Sequence, residues 1–598
     1  MNVNKVNHYV STPRVGSRPF TKFVDPHGQH LTFNAGKLVP IYCREIYPNT
    51  RVKLNWKTVT RLLTPKYPTM DIANLDVFFF FVPNIEIWDK WKNFLGENDT
   101  DYWTEKNSYL VPKVSVPLYL PSDWSNNALA HGCRLRNVGD LADYMGIPLI
   151  GTLDSSVIGV QQKYVDVSVL PFRAYVKIWN DWFRDENFQE PCRLTVGSGD
   201  NLTLYPDGDS FYRVGTPAGN PADPADLNTV KDYVKYAEIG AALCPVDKYK
   251  DYFSSCLPQP QKGTPVELPI AGYAPLVRGG SEQELFLGYK HGSDYNPEAS
   301  WNKKPFISIN TPSGFKLATG DSSATFEFDN PAGPGAATID YRADLSAASA
   351  VTVEQLRLAF ATQRFLEMSA VGGTRYVELI SYMFGANCPD EYLHRSRFLG
   401  GKSIPLNITP ITQLSGSSSE SLGQVGAFSN TATGDFAFDE KFEEHGFIIG
   451  LVTVRTQHSY SQGIPKYFMK RNELDYYFPC FAHLGEQPVY NKELFVQGNS
   501  EDDEVFGYQQ AWDELRHTPS RSAGFLRMGV PGALEQWTYA DKFASLPVLG
   551  ADFIKETSAN LARTLSVTEY THQFISDWFF TDEIYQILPF DSTPKLIG

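Results

Sequence analysis

Residues 75–82 have the sequence LDVFFFFV, a run of apolar and aromatic side chains that contains a single charge. Pro83 follows at once, so the run is short and ends at a turn signal. A short apolar run bounded in this way predicts a β-strand that is buried on both faces. Gly446–Thr456 (GFIIGLVTVRT) has the same character. The two runs indicate a protein whose core lies against β-sheets.

A second type of strand is predicted where polar and apolar residues alternate. Arg51–Lys57 (RVKLNWK) places Val52, Leu54 and Trp56 on one face, and Val165–Leu170 is a shorter candidate. The composition agrees, because 14% of the residues are aromatic and the 598-residue chain contains 40 Pro and 45 Gly. Aromatic side chains favour strands, and Pro and Gly favour turns. We therefore predict a mainly β protein with long irregular loops.

Few segments have the spacing of a helix. Pro171 suits a first helical position, and apolar residues follow it at intervals of three and four up to Trp182. A second helix is predicted over Val353–Met368. Asn84–Leu95 and Tyr508–Leu515 are candidates for shorter helices.

Length and composition suggest how the chain is organised. Hydrophobic residues make up 42% of the sequence and charged residues 20%, which allows a large core and excludes disorder throughout. We expect an extended basic N-terminal arm over residues 1–30 and a single domain over residues 31–598. Stretches at about 193–235 and 264–345 are rich in Gly, Pro, Asp, Ser and Ala and lack periodicity. We interpret both as surface insertions.

The net charge of −15 is distributed unevenly. Residues 1–62 contain ten Lys or Arg and two acidic residues, which gives +8 and leaves −23 for the remainder. Such asymmetry suggests a nucleic-acid contact in one part of the chain, although ordinary solvated residues are an open alternative. The candidates for contact with nucleic-acid phosphate are Lys5, Arg14, Arg18 and Lys22. The acidic remainder of the chain cannot neutralise phosphate charge, so a protein that enclosed nucleic acid would need a separate basic component.

No motif in the sequence indicates catalysis. The seven cysteines form no CxxC pair, which argues against a zinc module and a disulfide scaffold. Gly400–Ser403 (GGKS) lacks the earlier glycine of a phosphate-binding loop. His27 and His30 have no third ligand near them in the sequence. We predict no catalytic residue, no metal and no cofactor, and hence no enzyme. The longest apolar run, Val77–Pro83, is too short to cross a membrane.

Several segments resemble the major capsid protein of gokushovirus-type microviruses (Microviridae, Gokushovirinae). They follow the family's order along nearly the whole chain: Phe33–Tyr42 (FNAGKLVPIY), Met70–Glu97, Pro171–Asn187, Asp251–Gly263, Gly372–Gly401, His445–Leu451, Ser459–Gly463, Leu484–Glu493 and Phe506–Ser520. One such segment alone would be weak evidence for the family, but the whole series in the same order is specific to it. The stretch 264–345 resembles no family segment in detail, as expected for a region that varies in this family.

This resemblance implies a viral jelly roll of about eight strands with very long loops between them. It implies self-assembly through pentamers into a T=1 icosahedral, sixty-subunit shell around a circular ssDNA genome. An insertion would form threefold protrusions used in host attachment. The implied partners are a small basic DNA-binding protein, an internal scaffolding protein, a minor pilot protein and a host surface receptor. The implied location is the virion, with assembly in the host bacterial cytoplasm.

Two questions stay open at the level of the sequence. Trp88, Trp91, Trp179 and Trp182 are candidates for anchors of subunit contacts, and packing inside their own subunit is the alternative. A stand-alone carbohydrate- or receptor-binding β protein is the second functional class, because jelly rolls also serve as lectins. A β-rich hydrolase is a third class, and it would need a catalytic group that the sequence does not reveal.

Overall fold

The computed structural model describes most of the chain between residues 20 and 590. The described ranges are 20–97, 109–121, 138–149, 151–153, 164–196, 201–202, 233–234, 237–263, 276–278, 287–290, 308–311, 314–317, 325–328, 341–343, 353–371, 375–385, 389, 394–412, 414, 423, 425–482, 484–566 and 572–590. By clustering of Cα positions the chain divides into two units, one of residues 1–263 and 366–598 and the other of residues 264–365.

Eight long strands form two four-stranded sheets. In chain order they are β1 (Thr21–Phe33), β2 (Val39–Ile46), β3 (Thr50–Leu62), β4 (Ala73–Pro83), β5 (Arg397–Pro405), β6 (Thr431–Phe442), β7 (Gly446–Thr456) and β8 (Phe574–Gln586). The strand order is β1-β8-β3-β6 in the first sheet and β5-β4-β7-β2 in the second. All neighbouring strands are antiparallel.

The sequence explains why the two sheets differ in exposure. β3 alternates buried and exposed residues along its length, whereas β4 and β7 are buried at nearly every position. The strands with continuous apolar sequence are therefore the two central strands of the second sheet. The alternating strands belong to the first sheet and present only one face to the core.

One hydrophobic core contains residues from all eight strands. The ring of Tyr42 on β2 lies 5.2 Å from that of Phe580 on β8, and Phe81 on β4 lies 4.6 Å from Phe442 on β6. These contacts join the first sheet to the second. The shared core makes the two sheets a β-sandwich.

A second core lies on the other face of β4 and β7. Its centre is the helix Leu170–Ile178, which continues as a π-helical turn over Trp179–Phe183. Pro171 stands in the first turn, as its missing N–H allows. Phe80 of β4 and Ile449 of β7 pack into this core. A second layer thus covers the outer face of the second sheet.

The remaining elements are short, apart from one helix of 19 residues, Val353–Val371. The α-helices are Asn84–Ile87, Trp91–Phe94, Leu141–Tyr144, Val353–Val371, Tyr376–Phe384, Asn491–Leu494, Ala551–Ile554 and Ala559–Ala562. Paired strands outside the sandwich are Lys113–Pro117, Tyr119–Pro121, Gly151–Leu153, Tyr164–Ser168, Asn201–Leu202, Ile408–Thr412, Val425–Ser429, Glu486–Tyr490 and Val505–Gln510. Within residues 264–365 the strands are Leu276–Arg278, Leu287–Lys290, Ser308–Thr311, Gly314–Leu317, Thr325–Phe328 and Tyr341–Ala343.

Most of the predicted elements are confirmed. The strand at Gly446–Thr456 has the predicted bounds, and the helix predicted over Val353–Met368 ends only at Val371. The helix predicted over Tyr508–Leu515 is wrong, because its first residues continue a strand and only Asp513–Leu515 form a 3₁₀ turn. Residues 21–30, which we expected in an extended arm, are the first part of β1.

Candidate assembly surface

The segment Ile464–Phe478 exposes an unusual amount of apolar side chain. Phe468 and Leu474 are both 70% exposed. Clustered large apolar side chains on a surface mark interaction sites. We call this segment together with Leu515 the aromatic surface; its exposed apolar members are Ile464, Tyr467, Phe468, Leu474, Tyr476, Tyr477, Phe478 and Leu515.

The local sequence explains why these side chains remain outside. The segment folds as 3₁₀ turns at Lys466–Phe468 and Glu473–Asp475, each three residues long. Side chains of so short a turn cannot all face the protein, and Pro465 begins the first turn in an extended conformation. The rings of Tyr467 and Phe468 lie 4.5 Å apart and form one apolar face.

Cationic side chains hold the aromatic surface together. Lys470 Nζ lies 5.9 Å from the ring centre of Tyr476 and 5.4 Å from that of Trp512. The same Nζ donates a hydrogen bond to Glu514 Oε1 at 3.0 Å. Arg521 lies 5.9 Å from the ring of Tyr467. Cation–π contacts of this kind fix aromatic rings without covering them.

A cavity of about 140 Å³ opens beside the aromatic surface. Ile464, Tyr467 and Leu515 form part of its wall, and Tyr252 and Tyr460 lie deeper. Burial raises the pKa of Tyr252, and its hydroxyl donates to Glu493 Oε2 at 3.0 Å. An apolar cavity with a charged rim is the arrangement that receives an anchoring side chain in protein interfaces.

A buried charge cluster fastens the loops next to the aromatic surface. His458 Nδ1 lies 2.9 Å from Asp541 Oδ1, and His458 Nε2 lies 3.0 Å from Glu556 Oε2. Lys248 Nζ donates to Asp541 Oδ2 at 3.0 Å. The side chains of His458 and Glu556 are 2% and 0% exposed. The cluster joins His458, directly after β7, to Lys248, Asp541 and Glu556 from other parts of the chain.

The charges in this cluster depend on one another. Burial alone would lower the pKa of His458, but the hydrogen bonds to Asp541 and Glu556 outweigh it and raise the pKa to about 9. For Asp541, burial is outweighed by the hydrogen bond and charge of His458, so its pKa falls well below the usual range. The histidine is therefore a cation and Asp541 an anion at neutral pH.

Two of the four predicted anchor residues lie in the interior. Trp88 is 1% exposed and Trp179 is 0% exposed, and both pack in the core around the helix Leu170–Ile178. Trp179 Nε1 donates to the carbonyl oxygen of Pro245 at 2.7 Å. A side chain this deeply buried cannot reach another subunit, so these two follow the alternative of packing within their own chain. The apolar stripe of the helix Leu170–Ile178 faces inward because the second sheet lies there.

The other two candidates are partly exposed. Trp91 packs at the edge of the same core, with its ring 5.3 Å from that of His445. Trp182 donates from Nε1 to the carbonyl oxygen of Ser396 at 2.9 Å, and Arg395 lies 3.5 Å from its ring centre. Their role as contact anchors stays a prediction.

The predicted DNA contacts are described only in part. Lys5, Arg14 and Arg18 lie outside the described residues. Lys22 is in β1, and its Nζ lies 3.0 Å from Glu583 Oε2 on β8. The hydrogen bond to Glu583 raises the pKa of Lys22. A neighbouring carboxylate thus matches the charge of Lys22 within its own chain, and the role of the four residues in DNA contact stays a prediction.

The other chemical motifs have simple structural explanations. Gly400–Ser403 lies within β5, so this segment presents no helix N-terminus to a phosphate. His27, by contrast, has ionisable neighbours that the sequence did not suggest: Asp25 and Asp582 bring one ligand atom each to within 4.8 Å of it. Asp582 is distant in sequence, which is why sequence spacing missed this grouping.

The aromatic surface was also missed from the sequence. Its residues have no helical or strand period, so they resembled an ordinary loop. The signal that was available is density, since Lys466–Phe468 and Tyr476–Phe478 place five aromatic rings in thirteen residues beside Lys470 and Arg471.

A β-sandwich with long covering loops and an exposed aromatic surface indicates a protein that associates with other proteins. The comparisons with known proteins agree. The chain belongs to the capsid protein (F protein) family, which it matches over residues 16–596. It is 34% identical to capsid protein VP1 of Spiroplasma virus 4 over 97% of this chain and 95% of that protein. It is 33% identical to capsid protein VP1 of Bdellovibrio phage phiMH2K, over 94% and 92% of the two chains.

A third relative is capsid protein VP1 of Chlamydia phage 1, 30% identical over 96% of this chain and 95% of the relative. The protein is therefore a major capsid protein of the gokushovirus type, and the predicted family is confirmed. Its role is structural: it assembles with copies of itself into the shell of a virion. Among the described residues, no helix has the length and apolar character needed to cross a membrane.

Proposed function

We propose that the eight strands are a viral jelly roll and that this domain is the building block of a T=1 icosahedral shell. The strand order supports the jelly roll. The chain crosses repeatedly between the sheets β1-β8-β3-β6 and β5-β4-β7-β2 and does not complete one sheet before it begins the other. Two four-stranded sheets joined by such crossings match the jelly-roll pattern. The long connections between the strands form loops outside the sandwich, where they are available for contacts between subunits.

The aromatic surface is the proposed contact between subunits. Identical subunits close into a shell when one patch of each binds a different patch of its neighbour. Phe468 and Leu474, exposed in the single chain, would be buried in such a contact. Trp91 and Trp182 are secondary candidates. Pentamers would form first, and sixty subunits would complete the shell.

The genome is the second proposed partner. A circular ssDNA molecule would lie at the inner surface, with Lys5, Arg14 and Arg18 as the principal contacts and Lys22 as a minor one. Because the body of the chain is acidic, a small basic DNA-binding protein would supply most of the neutralising charge. An internal scaffolding protein and a minor pilot protein complete the proposed set, and assembly would take place in the host bacterial cytoplasm.

Host attachment is proposed for the insertion at about 264–345. The structural unit of residues 264–365 supports a separately folded element there. In the shell this element would form the threefold protrusions and contact the host surface receptor. The insertion at about 193–235 is the alternative location, and deletion of each in turn would separate the two.

Electron microscopy of the chain co-expressed with its scaffolding partner tests the proposal. We expect uniform spherical particles, with density at the threefold axes that disappears when residues 264–345 are replaced by a short linker. Folded chains that remain small with the partner bound would contradict the shell. Particles that keep their protrusions after the replacement would contradict only the assignment of the insertion.

A further inference from the structure

Three metal-binding side chains meet on one face of the first sheet. Asp25 and His27 are two residues apart on β1, so they point to the same side of the strand. Asp582 on β8 is paired directly with Asp25 in the antiparallel register. One ligand atom from each residue lies within 4.8 Å of the others. The grouping therefore follows from the strand register.

The carboxylates of Asp25 and Asp582 repel each other, and Arg44, the nearby cation among the described residues, offsets only part of their charge. Like charges directly opposite in a sheet repel each other. Arg44 Nη1 lies 3.1 Å from Asp25 Oδ2 and also makes a short contact with Asp582 Oδ2. Tyr42 donates its hydroxyl to the same Asp582 Oδ2 at 2.8 Å. These contacts all use the Oδ2 atoms.

The remaining oxygen of Asp582 is an independent sign of a missing partner. Asp582 is 0% exposed, and its Oδ1 is buried without a hydrogen-bond partner among the described residues. Buried carboxylate oxygens are normally satisfied by a donor or a metal ion. Asp25 is half exposed, and it offers a second oxygen next to this buried one.

The imidazole of His27 is held in a suitable orientation. Its Nδ1 lies 3.4 Å from the carbonyl oxygen of Asp25. Its ring lies 5.7 Å from the ring of Tyr42 and 5.5 Å from that of Phe580. With the proton on Nδ1, the Nε2 lone pair is available. A histidine that donates one ring N–H to a carbonyl while its other nitrogen binds a metal is the common arrangement in metal sites.

We propose that Asp25, His27 and Asp582 bind a divalent transition metal of the Zn²⁺ class. The ligands are Asp25 Oδ1, His27 Nε2 and Asp582 Oδ1, with water in the fourth position. Imidazole binds Zn²⁺ in preference to Ca²⁺ and Mg²⁺, whereas carboxylates bind all three ions. Donor atoms around one Zn²⁺ lie roughly 3.4 Å apart, so atoms now within 4.8 Å of one another have to move closer when the metal binds.

Arg44 remains in place when the metal binds. It neutralises the Oδ2 atoms, so each carboxylate is held by a second group while its Oδ1 atom faces the metal. The metal would connect β1, near the start of the chain, to β8, near its end. The proposal concerns a ligand of the single subunit and does not depend on the shell.

Calorimetric titration of the chelator-treated, full-length protein with Zn²⁺ at pH 7.5 tests the site. Asp25→Asn and His27→Gln remove one ligand each, and neither side chain is fully buried on the edge strand β1. We expect each to weaken Zn²⁺ binding by at least about tenfold. His30→Gln is the matched control, because His30 also faces an aspartate across β1 and β8, with 2.9 Å between His30 Nδ1 and Asp577 Oδ1, at an exposed position.

A thermal melt gives a second readout. At the same Zn²⁺ concentration, Zn²⁺ should raise the melting temperature of the unaltered protein and of His30→Gln by more than that of His27→Gln. Zn²⁺ binding that is equally strong in His27→Gln would overturn the proposal. Tighter binding of Ca²⁺ than of Zn²⁺ would overturn the choice of metal and the role of the imidazole together.

Discussion

His458 and Glu556 are 98 residues apart in sequence, and His458 Nε2 lies 3.0 Å from Glu556 Oε2 inside the protein. The other ring nitrogen of His458 is hydrogen-bonded to Asp541. Glu556 also accepts from the backbone N–H and the hydroxyl of Thr456, at 3.2 Å and 3.0 Å. A single buried imidazolium thus connects the end of β7 to two loops that follow the aromatic surface in the chain.

The first prediction concerns the loss of this cation. His458→Gln keeps part of the side-chain volume but leaves Glu556 buried without its positive partner. Removing one member of a buried ion pair destabilises a protein by about 3 kcal/mol or more. Urea unfolding of the isolated subunit should show this loss, and His30→Gln, in an exposed pair, should change little. Equal stability of the two variants would show that the cluster does not fasten the fold.

The second prediction concerns pH. The pKa of His458 rises from 6.5 to about 9 on folding, so folding favours the protonated form. The stabilisation from this residue is fully present below pH 6.5 and disappears as the pH rises through about 9, and its size is on the order of 3 kcal/mol. The measurement is the difference in unfolding free energy between the unaltered protein and His458→Gln from pH 6 to pH 10. A difference that is constant with pH would contradict the protonated state.

The strands of the sandwich were predictable because their burial is encoded locally. Continuous apolar runs predicted β4 and β7, and alternation predicted β3. The pairing of β1 with β8 has no local signal, since it joins residue 21 to residue 586. The edge strand β1 is mostly exposed over residues 21–30, so its sequence resembles that of a polar arm. Only the partner strand, far along the chain, makes it part of a sheet.

The functional groups were harder to predict than the strands. The spacing of apolar residues from Phe172 to Trp182 correctly predicted a helix with one apolar face. The sequence could not tell whether that face packs in the core or against another subunit. The metal-ligand grouping requires Asp582, which is brought to Asp25 only by strand register. The charge cluster at His458 collects residues from separate loops in the same way. Long-range contacts of this kind depend on tertiary structure and leave no spacing pattern.

The third prediction separates the interior tryptophans from contact residues. Trp179→Phe removes the hydrogen bond to the carbonyl oxygen of Pro245 and leaves a small cavity, at a cost of about 2 kcal/mol. Denaturant unfolding of the subunit should show the loss, and subunits that remain folded should still assemble. Trp182→Phe, at a partly exposed position, is the comparison. Lost assembly at unchanged subunit stability for Trp179→Phe would restore it as a contact anchor.

The fourth prediction concerns the aromatic surface. Phe468→Ser combined with Leu474→Ser should change subunit stability by no more than about 0.5 kcal/mol for each position, because both side chains are 70% exposed. The double variant should no longer assemble into shells with the scaffolding protein, and sedimentation velocity measures this loss. Val548→Ser is the control, because Val548 is 79% exposed and lies outside the surface. Normal shells from the double variant would assign the subunit contact to another part of the chain.

The fifth prediction separates the basic residues of the N-terminal segment. Replacing Lys5, Arg14 and Arg18 together by Gln should reduce the DNA content of assembled particles, because three sources of phosphate neutralisation are removed. Lys22→Gln alone should have little effect, since Glu583 already matches that charge. Absorbance ratios and genome copies per particle give the measurement. Unchanged DNA in the triple variant would leave neutralisation to the separate basic protein, and a large effect of Lys22→Gln would mean that the pair with Glu583 opens in the shell.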